Sequence, residues 1–159
     1  LRGVTSHRTW LGRALGVMRK LELTWVCCGV DYPKLVEGAA DYALCVYAGS
    51  TAALVAEALV PAGTPQWSVL GTKGYKYGDA SATPNGVTKA ILKGNATQPK
   101  AKALVKGKGA NLPDLTLPLE GPVTVQLVNG DSGLCFGADY AGAQLLKNQA
   151  GLFKAKAQP

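Results

Sequence analysis

The chain has 159 residues, 47% hydrophobic and 17% charged, which is the composition of one globular domain and excludes a wholly disordered polymer. A single histidine removes every site that needs two imidazoles. The net charge of +7 is unevenly spread: residues 1–20 hold five basic side chains and no acid, and residues 71–110 hold eight lysines against Asp79 alone. The remainder of the chain is acidic.

In chain order, residues 8–20 are the first candidate element. Trp10, Ala14 and Met18 recur at helical spacing with Leu11 and Leu15 beside them, and Ser6 stands where a cap would be. Gly12 and Gly16 each cost up to about 1 kcal/mol inside a helix. Residues 1–20 are therefore expected to be a basic flanking segment, helical or flexible, preceding a single domain over 21–159.

From Leu21 the period becomes two. Leu21–Trp25 alternates, and Asp41–Tyr47 is rich in strand formers. Ala53–Val60 forms an apolar run that stops at Pro61-Ala62-Gly63. In Gly74-Tyr75-Lys76-Tyr77 both tyrosines fall on one face and the lysine on the other. Pro84-Asn85-Gly86 is a turn before the next strand, Val87–Lys93, and Ala101–Lys106 resumes with Ala101, Ala103 and Val105 facing one way. Residues 109–122 contain three prolines and read as a crossing loop. Val123–Asn129 alternates most cleanly and is followed by the turn Asn129-Gly130-Asp131-Ser132-Gly133 and a return over Leu134–Ala138. A helical turn or loop is expected near Gln144–Ala150, then a closing strand over Leu152–Ala155. Eight or nine short strands with regular turns predict an all-β fold, an antiparallel β-sandwich of immunoglobulin-like or jelly-roll-like type. Val123, Val125 and Leu127 are predicted to face its core.

Cys27, Cys28, Cys45 and Cys135 lack the spacing of a zinc set, so no metal site is expected. Disulfides are the expected state, with buried free thiols in a reduced cell as the alternative. If bridges form, Cys45 with Cys135 is the expected pair, because each sits in mid-strand where a bond across the sheets would close a long loop. That pairing would place the protein in an oxidising compartment, secreted or at a cell surface.

From about Leu44 to Lys156 the pieces Leu44-Cys45-Val46-Tyr47, Lys73–Tyr77, Val105–Gly109, Val123–Asn129 and Phe153–Lys156 resemble, in order and rough spacing, an uncharacterised β-rich domain of large exported bacterial proteins. The resemblance implies export and a non-catalytic accessory role beside other domains, and it supplies no site residues.

Catalytic constellations fail on their own terms. His7 stands in a basic flank with no acid before Glu22, so a nucleophile–base–acid triad cannot be assembled there. Asp131 and Asp139 bracket a turn, and Asp114 and Glu120 lie in the proline-rich loop. Lys106-Gly107-Lys108-Gly109 lacks the following helix of a phosphate loop. No enzyme activity and no cofactor is expected.

The remaining candidate is a surface. Lys89, Lys93, Lys102, Lys106 and Lys108 alternate onto one side of neighbouring strands, with Trp67, Tyr75 and Tyr77 close in sequence. Cations beside aromatic faces are what stacking on sugars uses, whereas paired aromatic motifs of an RNA-binding sheet are absent, and no specific nucleic acid is expected. The two readings are a lysine face that attracts an acidic polysaccharide or other surface polyanion, and a solvated face whose lysines blunt strand pairing while the aromatics fill the core. The leading expectation is a structural or adhesive module that meets other domains or further copies of itself. No apolar run reaches the ~18 residues of a membrane-spanning helix.

Overall fold

The computed structural model describes residues 8–12, 17–24, 41–63, 65–83, 85–95, 98–130 and 135–156. Among them are twelve strands and no α-helix: β1 Arg8–Gly12, β2 Val17–Thr24, β3 Tyr42–Ala48, β4 Ala53–Val60, β5 Trp67–Val69, β6 Gly74–Gly78, β7 Val87–Asn95, β8 Gln98–Lys108, β9 Val123–Asn129, β10 Cys135–Tyr140, β11 Leu145–Gln149 and β12 Leu152–Lys156. They form an eight-stranded sheet, β11-β12-β1-β2-β8-β7-β6-β5, and a four-stranded sheet, β10-β9-β3-β4. Every neighbouring pair is antiparallel. The protein is an all-β sandwich.

The period-two pattern is the cause of the layering. In β9 the burial alternates strictly, with Val123, Val125 and Leu127 turned into the core as expected. Each such side chain contributes about 1.5–3 kcal/mol on burial. Leu127 stands opposite Leu44 on one side and Phe136 on the other, so three strands of the small sheet present one continuous apolar row. The large sheet answers with Tyr77, Ala90, Leu92, Ala103, Val105, Phe153 and Ala155, all nearly inaccessible to solvent.

The crossing loop of residues 109–122 is tied down at several points. Leu115 and Leu117 pack against the core, and Gly49 at the β3–β4 turn donates its N–H to the carbonyls of Glu120 (2.9 Å) and Pro122 (3.0 Å). The loop therefore closes the gap between the sheets, with its leucines turned inward.

Two expectations are corrected. Residues 8–12 and 17–20 are not helical: they lie in β1 and β2, and β2 runs through positions 20 and 21, so the basic segment supplies two strands of the large sheet. β1 is paired on both sides, by β12 and β2, and β2 is held by β1 and β8. Ladder bonds along both edges of each strand override a local helical spacing that two glycines already weaken. The second correction concerns 144–150, where a 3₁₀ turn over Gly142–Gln144 leads into a strand, β11, and not into a helical turn.

Candidate functional site

The lysine face is built by the β7–β8 ladder. Lys89 stands directly opposite Lys106, and Lys93 directly opposite Lys102. The row between them pairs Ile91 with Leu104 and continues to Lys76 on β6. The intervening residues Ala90, Leu92, Ala103 and Val105 point the other way into the core, which is why the lysines share the outer side. Lys108, at the end of β8, is exposed and stands opposite Val17. Rows two residues apart are about 6.7 Å apart along a strand, so the basic strip is roughly 20 Å long. Like charges placed directly opposite work against sheet pairing by about 0.2–1 kcal/mol. All five lysines named from the sequence are thus brought to one face, and Lys76 joins them.

The basic character extends across the whole large sheet. Lys147, Lys154, Trp10 and Lys20 stand opposite one another across β11, β12, β1 and β2, and Arg8 stands opposite Lys156. Glu22, opposite Leu104, is the single acid in the strands of this sheet. In the strands of the small sheet there is no lysine or arginine, and the acids are Glu57 and Asp139. The sandwich therefore separates charge between its two layers. Sequence reading missed the contribution of residues 8–20; the alternation it read from Leu21 onward holds, with Leu21 and Leu23 opposite Val105 and Ala103.

The aromatic residues named with the lysines are on the wrong side of the sheet. Trp67 stands opposite Tyr77 with ring centroids 5.4 Å apart, and Tyr42 of the small sheet approaches Trp67 at 5.9 Å. Tyr77 and Tyr42 are buried, and the indole N–H of Trp67 donates to the Pro61 carbonyl at 2.8 Å. Tyr75, opposite Val69 and Leu92, lies on this same inner side. The alternation that turns Lys76 outward turns Tyr75 and Tyr77 inward, so the three aromatics bridge the sheets and do not stand beside the lysines. The Tyr42 hydroxyl is buried without a hydrogen-bond partner among the described residues; burial pushes its pKa up to about 12, and Asn129 approaches it without reaching hydrogen-bond geometry.

The expected Cys45–Cys135 bond is also corrected. Cys45 is a buried free thiol. The two residues belong to the same sheet, with β9 between their strands: Cys45 pairs with Gln126, and Cys135 with Val128. Two inter-strand spacings of about 4.8 Å already exceed the ~7 Å Cα limit of a disulfide. Cys27 and Cys28 lie outside the described residues, as do His7 and Asp131.

Asp79 is the most strongly held acid. After β6 the chain turns back, and the buried carboxylate accepts the Ser81 hydroxyl (2.5 Å), the Ser81 N–H (2.9 Å) and the Thr83 N–H (2.8 Å). These bonds, the Ser81 hydroxyl first, hold its pKa below the usual carboxylate range against the opposing effect of burial. Its lone pairs are occupied by its own turn, which makes it a structural residue. Asp114 and Glu120 are exposed in the crossing loop, and Asp139 accepts the Thr124 hydroxyl at 2.6 Å. Among the described residues no group of three or more His, Cys, Asp or Glu side chains is placed to hold a metal ion, and no helix is long and apolar enough to cross a membrane. No family model, curated protein or solved structure matches this chain.

Proposed function

We propose that the chain is a non-catalytic β-sandwich module of an exported or cell-surface protein, structural or adhesive in role, that is retained at an acidic polysaccharide or similar surface polyanion through its lysine face. The observation that carries this reading is the cross-strand pairing of Lys89 with Lys106 and of Lys93 with Lys102 around the Ile91–Leu104 row. Anions laid along the strands relieve the repulsion between these pairs. Lysine ammonium groups are point charges with little geometric demand, so the contact is long-range, weakly selective and screened beyond ~8 Å at physiological salt. That suits retention at a surface better than recognition of one small molecule.

The test is elution from heparin and from alginate in a salt gradient. The variant Lys102→Gln/Lys106→Gln/Lys108→Gln elutes at clearly lower salt than the parent while its circular dichroism is unchanged. Elution of both proteins at the same salt would reduce the lysines to a solubility feature and leave the purely structural role.

A further inference from the structure

The opposite side of the sandwich carries the complementary pattern. On the outer face of the small sheet, Glu57 stands opposite Cys45, and the flanking rows begin with Leu59 opposite Ala43 and Leu54 opposite Tyr47. The Leu54 row continues through Thr124 to Asp139. Leu54 is 52% exposed and Leu59 39%, and Glu57 and Asp139 are exposed as well. This face is an acid between two leucines. On the outer face of the large sheet an aliphatic pair, Ile91 and Leu104, flanked in its own row by Lys76 and Glu22, lies between two rows of lysines. Both patterns repeat at the row spacing of a strand, about 6.7 Å, so with one face offset by a single row the Leu59 row falls on the Ile91–Leu104 row and Glu57 on the lysine row beside it.

We infer that the small sheet's outer face docks onto the lysine face of a second copy of this chain, head to tail. Charge complementarity between the layers selects this occupant: the strands of one sheet hold lysines and arginines with Glu22 as the one acid, and those of the other hold only acids. The contact is face to face and not strand to strand. The free edge of β4 is interrupted by a register shift at Val46/Tyr47 and capped where Leu59 donates its N–H to the Asn85 side chain at 2.6 Å. The two faces lie on opposite sides of the molecule, so the contact is heterologous and does not close on itself; copies add in a row. The inference uses the lysine face but does not rest on its binding a polyanion. A polyanion competes for the same lysines and disperses the row.

Sedimentation velocity of the full chain tests this. At low ionic strength the parent forms species that grow with concentration, and salt or added heparin returns it to monomer. Glu57→Lys/Asp139→Asn loses one face and Lys89→Glu/Lys106→Glu loses the other, so each stays monomeric alone. Mixed in equal amounts they associate again, because the intact lysine face of one meets the intact acidic face of the other, and the reversed charges at position 57 and at positions 89 and 106 are themselves opposite. If either charge reversal perturbs the fold, Glu57→Gln and Lys106→Gln shift the same equilibrium toward monomer with less disturbance. A parent that stays monomeric at high concentration and low salt overturns the inference, as does a mixture that stays monomeric or variants that assemble like the parent. Salt-gradient retention of the parent on heparin is read separately, so failure of self-association leaves the proposed polyanion binding standing, and the converse.

Discussion

The side-chain amide of Asn148 and the backbone of Leu119 bond to each other in both directions: Asn148 Oδ1 accepts the Leu119 N–H at 2.8 Å, and Asn148 Nδ2 donates to the Leu119 carbonyl at 2.5 Å. Asn148 thereby acts as a surrogate peptide group. It lets the 109–122 loop dock beside β11 without another strand. Leu119 is buried by this docking, so its two backbone groups have little water to fall back on. Asn148→Ala is expected to lower stability by about 1–3 kcal/mol, since it orphans a buried donor and acceptor together. Urea unfolding measures this. Asn148→Asp as the carboxylate keeps the acceptor but sets an oxygen against the Leu119 carbonyl, and its cost should fall at low pH, where the protonated acid donates again.

Asp79 makes stability depend on acid in a defined direction. Its pKa is depressed in the folded protein, chiefly by the Ser81 hydroxyl. A depressed carboxylate contributes stability that is complete above the unfolded pKa of about 3.9 and is lost as pH falls through the folded value. The stability difference between the parent and Asp79→Asn should therefore be constant from neutral pH down to about 5 and shrink below about 4. Denaturant titrations across that range give the curve, and a difference that widened on acidification would reverse the assignment.

The Cys45 thiol should be unreactive in the native protein. Burial pushes its pKa up, Tyr47 acts in the opposite direction, and the Glu57 carboxylate on the adjacent strand adds to the rise. Only the thiolate attacks an alkylating reagent. Peptide mapping after iodoacetamide treatment is expected to show Cys45 modified at the rate of global unfolding. Rapid labelling under native conditions, or recovery of Cys45 in a disulfide, would contradict its position.

Gly74 is required by a close approach. Its φ is 130°, and a Cβ at this position would fall on the carbonyl oxygen of Leu92 in β7. Gly74→Ala is expected to cost about 3 kcal/mol, because backbone strain and a clash with an immobile ladder carbonyl add. A thermal melt measures the loss. Gly63→Ala, where no atom stands within 4 Å, is the control for φ strain alone.

What the sequence determined by itself is the layering. Strict alternation in Val123–Asn129 and the lysine–alanine alternation of Ala101–Lys106 specify which side of each strand is buried, because a strand's side-chain period is fixed at two by the backbone. The lysines of one face were legible for the same reason, as was the proline-rich crossing over 109–122. The tertiary structure decided the rest. Residues 8–12 and 17–20 become strands because β12 and β8 offer their edges from more than eighty residues away, and no local window contains that information. Register is likewise non-local: it sets Lys89 against Lys106, turns Trp67 and Tyr77 toward Tyr42 across the sheets, and leaves Cys45 and Cys135 on opposite sides of β9. Alternation states which face a side chain takes, but only the pairing of strands states what it stands next to.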